Sequence, residues 1–144
     1  MPTKTPASKS AGFSDAEKAA ARERVKELKR AGDQAAEAQE MLAKIAEMPE
    51  PDKSLGERVN ALVTSAAPDL AQKTYYGMPA WAKDGKVICF FKPKSKFKVR
   101  YASFEFNPDA KLDDGEMWPI SFALTAITPQ TEARIKELVK KAIS

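Results

Sequence analysis

The sequence predicts an α+β fold, an antiparallel sheet of about four to five strands with helices packed on one face. Three observations carry that expectation. Apolar residues recur at helical spacing on both sides of a central block. Inside the block the period drops to two. The links between the period-two segments are too short for the crossovers that parallel strands need. The expected order is α-α-β-β-β-β-α, with an extra helix in front.

In chain order, residues 1–13 are mostly Lys, Ser, Thr, Pro and Ala without periodicity and are expected to form a loose tail. Ser14-Asp15-Ala16-Glu17 has the form of a capping box and opens a segment rich in strong helix formers. Its apolar stripe is thin: Ala21, Val25 and Leu28. Gly32-Asp33 interrupts it, as a C-terminal glycine or as a weak point. Ala38, Met41, Leu42 and Ile45 share a second helical face that ends at Pro49, and Pro49-Glu50-Pro51 makes a stiff joint. Asp52 or Ser54 caps the next helix, whose stripe is Leu55, Val59, Leu62, Val63 and Ala66. Pro68 stops it. At the other end of the chain Thr128 caps a helix with Pro129 at its first position and one stripe of Ile135, Leu138, Val139, Ala142 and Ile143.

Between these helices, Asp84-Gly85 flanked by lysines marks a tight hairpin. That register sets Ala82 against Val87 and Trp81 against Ile88. Val87 to Phe91 is apolar on both faces and belongs in the middle of the sheet. Residues 97–106 read as one long strand with a change of phase. Either a bulge near Ala102-Ser103 corrects it, or the second half is covered on both sides. Trp118, Ile120, Phe122 and Leu124 alternate as a last strand.

At 144 residues, with 43% hydrophobic and 31% charged side chains, the chain has the length and composition of one domain with a real core. No apolar run approaches the ~18 residues that span a bilayer, and residues 1–12 lack the apolar stretch of a secretory signal. With one cysteine, Cys89, no intramolecular disulfide framework is available, and a cytoplasmic setting is expected. The net charge is +4, yet residues 92–100 alone carry five positive charges and no acid, so the rest of the chain sums to −1. The basic character is a local patch, not the general field of a nucleic-acid binder.

Two stretches are candidate sites. In Tyr76-Gly77-Met78-Pro79, glycine tolerates positive φ and Met78 is pushed to extended geometry by the proline after it. Either the aromatic residues here plug the end of the core, or Tyr75, Tyr76, Met78, Trp81 and Trp118 line an apolar pocket for a small ligand. In the basic stretch, Lys94, Lys96, Lys98 and Arg100 form a solvated sheet face or contact the phosphates of a polyanion; nucleic acid is a candidate partner, without any recognised readout motif. Asp113-Asp114-Gly115-Glu116 has turn composition and lacks the oxygen spacing of a calcium loop. With no histidine, Ser-His or Cys-His activation is unavailable, and Cys89 sits in an apolar strand. No cofactor fingerprint occurs. The expectation is a non-enzymatic protein without metal or cofactor, binding a small molecule or a protein, with no membrane association.

The order of elements around Tyr76-Gly77-Met78-Pro79-Ala80-Trp81, the hairpin at Asp84-Gly85-Lys86 and the lysine-rich segment resembles the YdhG-like family of small α+β domains. The resemblance covers roughly residues 37–144 and leaves 14–36 as an additional N-terminal helix. It implies an α+β fold and, because some members are described as frataxin-like iron chaperones, an alternative role in intracellular iron handling.

Overall fold

The computed structural model describes residues 14–144; the expected tail at 1–13 lies outside them. Helices α1 (Asp15–Lys29), α2 (Gln34–Glu47) and α3 (Asp52–Ala66) come first. Strands β1 (Ala71–Tyr75), β2 (Met78–Lys83) and β3 (Lys86–Lys92) follow, then a single helical turn, α4 (Lys94–Phe97). Strands β4 (Ala102–Phe106) and β5 (Ser121–Leu124) and helix α5 (Pro129–Ala142) complete the fold. The sheet is an antiparallel meander in the order β1-β2-β3-β4-β5, so every pairing is between consecutive strands.

The helix starts follow their sequence signals. Ser14 Oγ accepts from Glu17 N–H at 3.1 Å while Glu17 Oε1 accepts from Ser14 N–H at 2.8 Å, which closes the capping box. Asp33 Oδ1 accepts from Ala36 N–H and starts α2 directly after Gly32, whose φ is 101°. Thr128 Oγ1 accepts from Thr131 N–H and caps α5. The start of α3 differs from expectation. Neither Asp52 nor Ser54 caps it; Glu50 Oε1 instead accepts from Ser54 N–H at 3.0 Å. Asp52 is free to act elsewhere.

Helices α2, α3 and α5 bury their stripes against one face of the sheet, except that Leu42, expected in the α2 stripe, is 48% exposed. Met41, Val59, Val63 and Val139 are fully buried there with Trp81, Phe91 and Phe104. A smaller cluster of Met78, Ala80, Ala82, Val87 and Phe90 occupies the opposite face, as period-two alternation along β2 requires. No helix among the described residues is long and apolar enough to cross a membrane.

Five expectations about the strands need correction. The chain forms an additional strand, β1, before the Tyr-Gly corner, so that corner is itself a hairpin turn. Its composition, AQKTY, carries no apolar alternation, and its burial is intermediate except at Thr74. Trp81 pairs with Cys89, not Ile88, because the register shifts between Trp81 and Ala82, where Ile88 is the extra residue. Ile88 and Cys89 therefore both join the main core. The basic segment is not a strand. Pro93, fully buried, ends β3, and residues 94–97 coil into one turn that finishes with Lys98 in the left-handed region. No bulge at Ala102-Ser103 is needed, because β4 begins at Ala102 in its own phase. The last strand is likewise shorter than expected, starting at Ser121 and leaving Trp118 in the preceding loop.

Candidate functional site

Tyr75 pairs with Met78, so Tyr76 and Gly77 are the two central residues of a hairpin turn. Both have positive φ, 53° and 78°, the geometry of a type I′ turn. The Asp84-Gly85 turn repeats it, with φ values of 52° and 80°. Asp-Gly is an expected pair in such a turn; tyrosine at its first position is not.

A carboxylate from α1 holds this unusual turn. Glu27 accepts from Tyr76 N–H at 2.9 Å through one oxygen and from Gly77 N–H at 2.8 Å through the other. Glu27 is only 4% exposed, and Arg24 Nη1 lies 3.3 Å from it. The Arg24 guanidinium also covers the rings of Tyr75 and Tyr76, 5.0 and 5.7 Å from their centroids.

One helical turn earlier, Glu23 lies between two lysines. It pairs with Lys44 of α2 at 2.6 Å and with Lys96 of α4. Burial alone would raise the Glu23 carboxyl, but the hydrogen bonds and charges of Lys44 and Lys96 outweigh it and hold the group below its ordinary value. Glu23 in turn raises Lys44, against the opposing effect of burial. Gly77 is required here for a second reason besides its φ. A Cβ at this position would collide with the Glu23 carboxylate and the Lys96 ammonium.

Asp52, fully buried at the start of α3, reaches across to α4. Its two oxygens accept from Lys94 N–H at 3.1 Å and Ser95 N–H at 2.9 Å. This contact coils residues 94–97 and presents Lys96 toward Glu23. Beside it lies a cavity of about 280 Å³, lined by Lys44, Met48, Asp52, Gly77, Ser95 and Lys96 among others. Its walls combine an apolar side from Met48, Pro49 and Pro93 with the ammonium groups of Lys44 and Lys96 and the carboxylates of Glu47 and Asp52.

The residues expected to line an aromatic pocket do not meet around one cavity. Trp81 has no exposed surface, and its Nε1–H donates to Asn60 Oδ1 at 3.0 Å inside the main core. Met78 faces the opposite side of the sheet, with Tyr75 against that second cluster. Trp118 packs on the main core from the loop before β5. Tyr76 alone of the five is substantially exposed, at 37%.

The four basic residues are also divided. Lys96 is bound to Glu23, Lys98 and Arg100 are exposed on a loop, and Lys94 is half-buried. Arg100 stacks on Tyr101 at 5.1 Å beside a groove that also contains Glu105. A further groove of about 480 Å³, between β5 and α5, is lined by Phe122, Arg134, Ile135 and Leu138.

Burial pushes the Cys89 thiol far above its ordinary value, the opposite of nucleophile activation. Among the described residues no group of three or more His, Cys, Asp or Glu side chains is placed to hold one metal ion. Asp113, Asp114, Gly115 and Glu116 are exposed.

Glu23, Glu27 and Lys44 were not singled out by sequence as site residues, and Asp52 was expected only as a helix cap. The available signal was the pair Glu23 and Glu27, four apart on a helix with a thin apolar stripe, and hence on one face. No family model, curated protein or solved structure matches this chain. The chain is a five-stranded meander of α+β class whose charged junction ties the N-terminal helix to a hairpin turn.

Proposed function

We propose that this chain is a YdhG-like binding domain without a catalytic centre, and that its ligand occupies the cleft beside Gly77. The supporting observation is the cavity of about 280 Å³ where the Tyr76-Gly77 turn, the α2–α3 joint and α4 meet. Three separate pieces of chain converge there, and buried carboxylates hold two of them. Glu27 fixes the turn and Asp52 fixes α4. An apolar wall with a few well-placed polar groups is what a small-molecule site needs. The aromatic residues of the corner serve as scaffold: Trp81 anchors β2 in the core, and Tyr75 and Tyr76 pack beneath Arg24. The more apolar groove at Phe122 and Arg134 is the competing location.

A thermal-shift screen of small molecules tests the proposal, since a ligand that binds the native state raises apparent stability. Hits should lose their effect in Ser95→Trp, which fills the cleft from an exposed rim position, and keep it in Leu138→Trp, which fills the other groove. The reverse pattern would move the site to the β5–α5 groove.

A further inference from the structure

A helix added for stability alone buries its apolar stripe. Helix α1 does the opposite. Val25 and Leu28 point outward, 52% and 60% exposed. The face turned to the domain is polar, with Glu23, Glu27 and Arg30 reaching Lys44, Lys96, the Tyr76-Gly77 turn and Glu40. Ala20 is its only buried apolar residue.

The groups that receive the two carboxylates make a consistent set. Two successive N–H groups of a left-handed turn point the same way, a concavity suited to an anion. Lys44 and Lys96 bring two ammonium charges to the same junction, and both border the cleft. Without α1, the two N–H groups and the two ammonium groups would lose the acceptors that α1 supplies, leaving Glu47 and Asp52 on the cleft and Glu40 beside Lys44 as the carboxylates nearby.

We infer that this junction is a binding site for a phosphate-type dianion, and that α1 is its built-in competitor, filling the site with Glu23 and Glu27 until a ligand displaces it. The inference rests on the proposal that the cleft is the ligand site. Two carboxylates from one helix supply a charge of −2 and four oxygens, close to the −1.5 to −2 and three free oxygens of a phosphate monoester. Two point-charge lysines and two backbone donors suit the several oxygens of a phosphate better than a single planar carboxylate, for which a guanidinium fork is the usual partner. The partly exposed ion pairs of Glu23 and Arg30 hold α1 weakly, so the main opposition to displacement is the buried contact of Glu27 with the turn. The short link at residues 30–33 tethers the competitor at high effective concentration, so the closed state lowers apparent affinity by the fraction of molecules that are open.

The test is calorimetric titration of inorganic phosphate and pyrophosphate, at low ionic strength, into the full chain and its variants. Glu23→Gln with Glu27→Gln should bind at least tenfold tighter than the unaltered chain. Adding Lys44→Met and Lys96→Met should abolish that gain. In the unaltered chain, saturating pyrophosphate should speed amide exchange throughout α1. Glu23→Gln alone leaves Glu27 on the turn and decides the matter should the double variant fail to fold; a threefold gain is expected from it. Folded variants that bind phosphate no better than the unaltered chain overturn the inference, as does a gain that survives loss of both lysines. If those variants show no gain while neutral ligands still bind the cleft, the binding-site proposal stands and only the competitor role of α1 falls.

Discussion

Gly77 carries two demands at once, left-handed backbone and the absence of a side chain. Gly85 has nearly the same φ, 80°, with nothing near the position of a Cβ. The pair separates the two demands. Gly85→Ala should cost about 1–2 kcal/mol, the penalty for left-handed backbone. Gly77→Ala should cost more, because the ion pair of Glu23 and Lys96 must also give way. Urea denaturation of both variants measures the difference, and equal losses would contradict the packing described. Glu27 makes a second residue-scale prediction. Glu27→Ala leaves the N–H groups of Tyr76 and Gly77 without their acceptor, for a loss of roughly 1–3 kcal/mol by the same measurement. Glu27→Gln keeps one acceptor oxygen and should lose less. Sequence pointed to Gly77 as a special backbone position, because glycine before Met-Pro is a local signal. It did not point to Glu27, since the partner lies 50 positions away and nothing local in either segment announces the contact.

At the scale of elements, capping signals made the helices at Ser14 and Thr128 legible, and only the second also buries its apolar stripe. Strand β1 was missed because its edge position leaves AQKTY without alternation. The basic stretch was misread because alternating lysine and apolar residues imitate a strand. Pro93 and the remote Asp52 carboxylate make it a turn instead. Docking of α1 should depend on pH in a defined sense. The folded-state pKa of Glu23 lies below its ordinary value of 4.5. Its stabilising contribution is therefore complete above 4.5 and is lost as pH falls through the depressed folded value. Lys44, raised above 10.5, contributes fully below that value and loses its contribution only as pH rises through the higher folded value. Amide exchange in α1, corrected for intrinsic rates, should give constant protection from pH 5 to 9 and loss in acid. Glu23→Gln should weaken the acid transition. Loss of α1 protection between pH 5 and 8 would mean that other groups control the docking.

For the molecule as a whole, the class and the one-sided helical cover followed from periodicity, and the antiparallel sense of the sheet followed from short links. The positions of the aromatic residues did not, because alternation along β2 separates Met78 from Trp81 across the sheet. Trp81 is accordingly a core residue, and Trp81→Ala should destabilise by about 3–5 kcal/mol in urea, far more than an exposed pocket wall would. The central claim is that binding occurs where the turn, the α2–α3 joint and α4 converge. Mapping of backbone amide shifts during titration with a ligand from the thermal-shift screen tests it most directly. The largest changes should fall at Gly77, Ser95, Lys96 and Met48. Changes centred on Phe122, Arg134 and Leu138 would contradict it.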